Sequence, residues 1–128
     1  MADPYEYIDK VLGDMKEVNC VVTRFHWQQD EYILDKLDEM GILVQEEVPW
    51  WQQPGNLTPA TRKVVEAQLQ EMIEEHFNHP CIFSWGISNE VTSCTQPQQY
   101  KELVAFTQKL DPSRLSQIVE NEMPFRKE

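Results

Sequence analysis

An apolar run that ends in an amide and a carboxylate is the part of the chain best suited to chemistry. Residues 81–87 are bulky and almost free of polar side chains, and Asn89 and Glu90 follow them closely. Such a run is typical of a strand that is covered on both faces, as in a parallel sheet. A carboxylate at the C-terminal end of a buried strand is how an α/β barrel presents a catalytic acid or base. A glutamate at that point could equally do no more than open the next turn in water.

Apolar residues at two spacings define the elements that would position these side chains. Helical spacing of three and four residues marks 3–17, 30–40, 58–77 and 100–110. Short apolar stretches mark strands at 19–25, 42–44, 81–87 and 118–119. Helix and strand alternate without a linker, which predicts βαβ units and a parallel sheet. A complete barrel of this kind takes about 250 residues. We therefore predict one α/β domain, 1–128, which is a partial (β/α)8 TIM barrel with about four parallel strands.

Capping residues support the helix boundaries. Asp3 followed by Pro4 predicts an N-cap with proline at the first helical position. Thr58 and Pro59 repeat that pattern, and Gly41 predicts the C-terminal end of the second helix. The long irregular stretch 48–57 is rich in aromatic and amide residues. Such a loop is more often functional than idle, although its tryptophans could also plug a barrel mouth.

Composition argues against several classes of partner. The net charge is −11 and the 11 Lys and Arg residues form no run, which argues against nucleic acid. No apolar stretch approaches the roughly 20 residues of a membrane span, so we expect no membrane partner. The first residues lack the basic and apolar regions of a secretory signal, which leaves a cytoplasmic location as the default. Of Cys20, Cys81 and Cys94, the first two lie in strand-like runs and are expected to be reduced.

Other catalytic constellations have little support in the sequence. His76, His79 and Cys81 have a spacing that could suggest zinc, but a helix end and a strand should point their side chains apart. Ser84 and Ser88 lack the Gly-x-Ser-x-Gly setting of a serine hydrolase. The four glycines do not cluster into a phosphate-binding loop. We therefore expect no metal and no cofactor.

Three motifs occur in a defined order along the chain. They are Thr23-Arg24-Phe25-His26-Trp27, then residues 38–49 with Asp-Glu-x-Gly and Glu-x-Pro, then Asn78-His79-Pro80 with Trp85-Gly86 and Asn89-Glu90. In this order they resemble the family 2 glycoside hydrolases, the group of β-galactosidases, β-mannosidases and β-glucuronidases. The resemblance covers roughly residues 5–120. It implies the second to fifth strands of a catalytic barrel and a carbohydrate substrate.

The resemblance also implies roles in a retaining β-glycosidase. Glu90 corresponds to the acid/base residue, Asn89 to an amide that binds the 2-hydroxyl, and Arg24 to an arginine that keeps the nucleophile ionised. A guanidinium suits that task because it does not titrate. His26 corresponds to a histidine that lines the sugar subsite, and Glu47 to a strand-end carboxylate near it. The candidates for sugar contacts are Trp50, Trp51 and Trp85.

The family's nucleophile, a glutamate on the seventh barrel strand, has no counterpart among these motifs. Retaining hydrolysis needs two carboxyl groups ~5–5.5 Å apart. The resemblance therefore implies a fragment that carries the acid/base residue and is inactive by itself. Glu120 and Glu122, near the last predicted strand, are the remaining candidates for a second carboxylate, although they lack the flanking pattern of the family's nucleophile. Without a nucleophile to orient, Arg24 is expected to pair with Glu90.

A non-catalytic half-barrel is the alternative function. Four strands without four others leave two open edges and an uncovered inner face. The residues expected on the uncovered surfaces are Val22, Val44, Ile82 and Phe83. Such a chain would form a homo-oligomer or require the missing barrel half, and would at most bind carbohydrate weakly.

Overall fold

The computed structural model describes residues 4–52, 56–91 and 96–120. Helices and strands alternate along them in the order α1 (Tyr5–Glu17), β1 (Val22–Phe25), α2 (Glu31–Met40), β2 (Leu43–Glu47), α3 (Pro59–His76), β3 (Ile82–Val91), α4 (Gln98–Leu110) and β4 (Leu115–Glu120). The strands form one sheet in the order β1-β2-β3-β4, and each neighbouring pair is parallel. This arrangement confirms the predicted α/β fold with four parallel strands of a partial barrel.

The helix ends follow from the capping residues. The Asp30 side chain accepts a hydrogen bond from the backbone of Tyr32, and Gly41 ends α2 in the left-handed conformation that glycine adopts without strain. Thr58 caps α3 in a reciprocal pair with Thr61. At α1 the prediction was wrong by one residue. Pro4 is the N-cap because its ψ of 140° is extended, and Asp3 lies outside the described residues.

Two strands continue further than the apolar pattern predicted. β2 runs on to Glu47 and β3 to Val91, so the predicted polar strand ends lie inside the strands. Their backbones still pair, with Glu47 opposite Gly86 and Asn89 opposite Val119. A polar residue is stable in a strand when its side chain finds partners, and those partners form the site described below.

The sheet has two different faces. The outer face packs on the helices, and its core includes Leu34, Val44, Leu69, Ile82, Trp85 and Leu103. The expectation that Val44 and Ile82 would be uncovered was wrong, because both point into this core. The inner face carries Arg24, Gln45 and Glu47 and, towards the start of the strands, the exposed Val22, Leu43 and Leu115. Val22 is therefore uncovered as predicted, whereas Phe83 is half-buried.

None of the helices within residues 4–52, 56–91 and 96–120 combines the length and the apolar character needed to span a membrane.

Candidate active site

Four polar side chains meet at the C-terminal ends of β1, β2 and β3. Arg24 Nη2 lies 2.9 Å from Glu47 Oε2, and Arg24 Nε lies 3.2 Å from the same oxygen. His26 Nδ1 lies 2.8 Å from Glu47 Oε1, and Asn89 Nδ2 lies 2.9 Å from His26 Nε2. Arg24 Nη2 also donates to Asn89 Oδ1. Because parallel strands end at the same edge of a sheet, residues distant in sequence become neighbours here.

Glu47 is the centre of this cluster. Its side chain is fully buried, whereas the side chains of Arg24 and His26 are 37% and 41% exposed. A buried carboxylate is stable only when it is paired and hydrogen-bonded, and both Glu47 oxygens have partners. The geometry suits a carboxylate that orients its neighbours.

The hydrogen bonds define the orientation of His26 and Asn89. A neutral imidazole has one donor and one acceptor nitrogen. Because Nδ1 faces the Glu47 carboxylate it carries the proton, so Nε2 accepts from Asn89 Nδ2. Asn89 Oδ1 is then the acceptor for Arg24. Neither of these two bonds uses the second Nδ2 hydrogen of Asn89, which can therefore donate to a ligand.

Gly86 provides the space that Glu47 occupies. It lies opposite Glu47 on β3, and a Cβ atom at this position would lie 2.7 Å from Glu47 Cγ and 2.8 Å from Glu47 Cβ. Only a glycine therefore leaves room for Glu47 to lie across the neighbouring strand. Glycine inside an apolar strand is a known sign of such a close approach, so the sequence carried this signal.

Glu90 lies beside the cluster in an unusual backbone conformation. Its φ is 50°, and Gln52, with a φ of 49°, places Nε2 3.5 Å from Glu90 Oε2. Two backbone hydrogen bonds join the loop after β2 to β3. Gln52 N–H donates to Asn89 O at 3.3 Å, and Asn89 N–H donates to Trp50 O at 3.0 Å. Non-glycine residues in this region of φ often mark functional sites. Sequence reasoning missed Gln52, although it named the loop that holds it.

The expected pairing of Arg24 with Glu90 was wrong. Within the described residues, Arg24 donates hydrogen bonds to Glu47 and Asn89 instead. The buried Glu47 binds the guanidinium in a bidentate arrangement, which is the more favourable geometry for an arginine.

The tryptophans separate into an exposed and a buried pair. Trp51 is 40% exposed, and Trp27, which sequence reasoning did not select, is 49% exposed. Trp50 is buried and stacks on Tyr100 at 5.6 Å, while Trp85 is buried and donates from Nε1 to Asp111 at 2.9 Å. Trp50 and Trp85 therefore expose no ring face that could contact a sugar in this structure. Their bulk instead stabilises the sheet–helix core.

The side chains of the three residues considered for zinc are bound to other groups of the protein. His76 Nδ1 lies 2.8 Å from the buried Glu46, and His79 Nδ1 lies 2.8 Å from Asp38. Cys81 Sγ donates to a backbone carbonyl at 3.7 Å. In the described part of the chain, the group close enough to share an ion is instead Asp35, Asp38 and His79, at the opposite end of the strands.

Charges and burial shift the pKa values of His76 and Cys81. Burial by itself would lower the pKa of His76, but the hydrogen bond and negative charge of Glu46 outweigh burial and raise it above the ordinary 6.5. Burial raises the pKa of the Cys81 thiol, and Asp38 adds to that effect. Cys20 and Cys81 are both free. Cys94, Glu122 and the side chain of Glu120 lie outside the described residues.

Comparison with known proteins identifies the family to which this chain is related. Residues 7–127 match the family described as glycosyl hydrolases family 2, TIM barrel domain. The chain is 40% identical over 106 residues to a β-galactosidase of Thermoanaerobacterium thermosulfurigenes, covering 82% of this chain and 14% of that protein. It is 34% identical over 109 residues to a β-glucuronidase of Bacteroides fragilis, covering 78% of this chain and 16% of that protein.

Solved structures show the same relationship. The crystal structure of a family 2 β-galacturonidase from Eisenbergiella tayi bound to galacturonate superimposes with a TM-score of 0.84 at 33% identity, covering 93% of this chain and 22% of that chain. A β-glucuronidase of Parabacteroides merdae superimposes with a TM-score of 0.81 at 32% identity, covering 91% and 16%. The chain thus spans less than a quarter of the length of these relatives. It belongs to glycosyl hydrolase family 2 and matches the TIM barrel domain of that family.

Proposed function

We propose that this chain is the part of a retaining β-glycosidase barrel that carries the acid/base residue, Glu90. The observation that supports this most is the cluster of Arg24, His26, Glu47 and Asn89 beside Glu90 at the carboxyl ends of parallel strands. This is the edge at which α/β barrels do chemistry.

The proposed roles come from the family resemblance, and the hydrogen bonds of the cluster are compatible with them. Protonated Glu90 gives its proton to the glycosidic oxygen as the bond from that oxygen to the anomeric carbon breaks. A carboxylate nucleophile forms a bond to the same carbon, and water later displaces it while Glu90 takes a proton from that water. Asn89 offers its remaining Nδ2 hydrogen to the sugar 2-hydroxyl, and Glu47 with His26 keeps the amide in this orientation.

We propose that the nucleophile lies outside the described residues. The carboxylate bonded within the cluster is Glu47, and its oxygens are already bound to Arg24 and His26. A nucleophile must have an oxygen free to attack, so Glu47 is unsuitable. We expect Arg24, which is 37% exposed, to contact the nucleophile from its open side.

The charges favour a neutral sugar over a uronic acid. Glu47 pairs with the Arg24 charge, and among the described residues no other Lys or Arg forms a hydrogen bond or an ion pair with the cluster. With Glu47 on one side of Arg24 and the nucleophile expected on the other, a sugar carboxylate would meet Glu47 and Glu90 without a free cation from the described residues. The proposed substrate is a neutral β-glycoside such as a β-galactoside.

Replacing Glu90 in an active chimera tests the proposal. Residues 5–120 would replace the matching segment of the Thermoanaerobacterium β-galactosidase. Glu90→Gln should lower kcat/KM for phenyl β-galactoside about 10²–10⁴-fold, because general acid catalysis contributes that much. The loss should be much smaller for the 2,4-dinitrophenyl galactoside, whose leaving group needs little protonation.

The control for this experiment is Glu39→Gln, which changes an exposed carboxylate on α2 and should leave both rates unaltered. An equal loss of activity on the two substrates would show that Glu90 is not the acid.

We also propose that the 128-residue chain self-associates. Val22, Leu43 and Leu115 are 49%, 46% and 66% exposed on the inner face, where a closed barrel would bury them. These exposed residues support the second candidate function, a non-catalytic half-barrel that self-associates.

A further inference from the structure

We infer that Trp27 and Trp51 form an aromatic wall that binds the leaving group of the glycoside when that group has a flat apolar face. The inference rests on the proposed role of Glu90 and adds a binding site for the other half of the substrate.

The two indoles are held at defined positions on the rim. Their ring centres are 6.4 Å apart and their planes meet at 66°. Both also contact His26, Trp27 at 5.6 Å and Trp51 at 5.8 Å in an edge-on arrangement. Because Glu47 and Asn89 bind both nitrogens of His26, the imidazole is a fixed support for the two indoles.

Both indoles remain open to solvent. They are 49% and 40% exposed, although burying such rings against the core would be favourable. Trp27 also lines a cavity of about 230 Å³ together with Gln68, Glu71 and Met72 of α3. Ligand-binding sites are typically lined by aromatic rings together with a few polar groups, and the two exposed indoles beside the polar cluster match this description.

The position of Trp51 identifies which half of the substrate it would meet. Its backbone pairs with Asn89, and the next residue, Gln52, contacts the Glu90 carboxylate. A sugar bound by Asn89 must direct its glycosidic oxygen to Glu90 for protonation. The group beyond that oxygen then extends past Trp51 towards solvent, where Trp27 continues the wall.

Two kinds of leaving group share the required chemistry. A phenyl ring and the C–H face of a pyranose are both flat and apolar, whereas a methyl group is too small to cover an indole. Contacts with aromatic rings of this kind contribute about 1 kcal/mol, so each indole should change affinity about fivefold.

Fluorine NMR on the whole 128-residue chain tests the inference. With 5-fluorotryptophan in place of tryptophan, each of the four signals is assigned from a Trp→Phe variant. Phenyl β-D-galactopyranoside, lactose and methyl β-D-galactopyranoside are titrated separately. The Trp27 and Trp51 signals should shift with the phenyl glycoside, with lactose or with both, while those of the buried Trp50 and Trp85 stay in place.

Variants distinguish binding of the leaving group by the aromatic wall from binding of the sugar by Asn89. Trp27→Ala should weaken phenyl glycoside or lactose binding about fivefold and methyl glycoside binding less than twofold. Asn89→Ala should weaken all three. Tyr5→Ala, which removes an exposed ring on α1, is the control and should change none.

Each result has one meaning. A response to the phenyl glycoside alone identifies an aryl leaving group, and a response to lactose alone identifies a sugar. Asn89-dependent binding with no response at Trp27 or Trp51 overturns the wall and leaves the proposed function intact. Binding that is unaffected by Asn89→Ala counts against the proposed function, and absence of any binding overturns the wall.

Discussion

Glu47 and Gly86 are the residue pair on which the geometry of the site depends. Glu47 reaches Arg24 and His26 because the opposite residue on β3 has no side chain. The two closest contacts of an added Cβ would be to Glu47 Cγ and Cβ, which are not the free end of a flexible chain. Glu47 could not swing away without moving β2, and its carboxylate would lose its partners.

We predict that Gly86→Ala destabilises the chain by about 1–3 kcal/mol, as overpacking of a close-packed interior does. The measurement is urea unfolding of the 128-residue chain. Truncating the neighbour removes two of the three contacts, so Glu47→Ala should make the further change Gly86→Ala less costly by about 1 kcal/mol.

Gly13→Ala is the matched control for this prediction. Nothing lies within 4 Å of a Cβ at Gly13, which is in the middle of α1. Alanine there should stabilise the chain by about 0.5–1 kcal/mol, because it has the higher helix propensity. Additive effects of Gly86→Ala and Glu47→Ala would refute the proposed contact.

At the scale of the element, β2 presents adjacent carboxylates to opposite sides of the sheet. Glu47 points to the inner face, and Glu46 points to the outer face, where it bonds His76 of α3 and the backbone of Gln29. Successive strand residues alternate in this way. One short strand therefore supplies both the centre of the site and an anchor for the α3 helix.

The Glu46–His76 pair should make stability depend on pH. Because the folded-state pKa of His76 is raised above 6.5, its contribution is fully present below that pH. The contribution is lost as the pH rises through the raised value, when the imidazole releases its proton. We predict that the free energy of unfolding falls as the pH increases above 6.5, and that His76→Gln lowers it by about 2 kcal/mol at pH 6 and by less at higher pH.

An exposed ion pair provides the comparison. Lys10→Met removes the partner of Asp14 on the surface of α1 and should change neither the stability nor its pH dependence between pH 6 and 8. The free energy of unfolding is plotted against pH for the wild type and for His76→Gln. A constant difference between the two plots from pH 6 to 8 would show that the Glu46–His76 pair is not the origin of the pH dependence.

The alternation of helix and strand was predictable from the spacing of apolar residues, and so was the edge at which Arg24 and Asn89 meet. The length of β2 and β3 was not, because Glu46, Glu47 and Asn89 have polar side chains that look like strand ends until their partners are known. The partner of Arg24 was also missed. Competition between Glu47 and Glu90 for one guanidinium is decided by burial and by Gly86, and neither is visible in a local pattern.

At the scale of the whole molecule, the inner face changes character along the strands. The polar cluster occupies the C-terminal end, and Val22, Leu43 and Leu115 occupy the N-terminal end. Trp50 and Trp85 were predicted to contact a sugar, but their buried rings pack against Tyr100 and Asp111 of the helix layer. The apolar end has no function in the proposed chemistry, and its exposure has a physical consequence for the 128-residue chain.

That consequence is association through the inner face. Fully burying an exposed leucine contributes roughly 1.5–3 kcal/mol, so covering the exposed parts of Leu43 and Leu115 in both copies offsets part of the cost of association. We predict concentration-dependent dimers in sedimentation equilibrium of the 128-residue chain. The double variant Val22→Thr with Leu115→Gln should raise the dissociation constant at least about tenfold, which corresponds to 1.4 kcal/mol.

Val64→Thr changes a 56% exposed residue on the helix layer and should leave the constant unaltered. Equal weakening by both variants would place the interface elsewhere, and a monomer at millimolar concentration would mean that water alone covers this face.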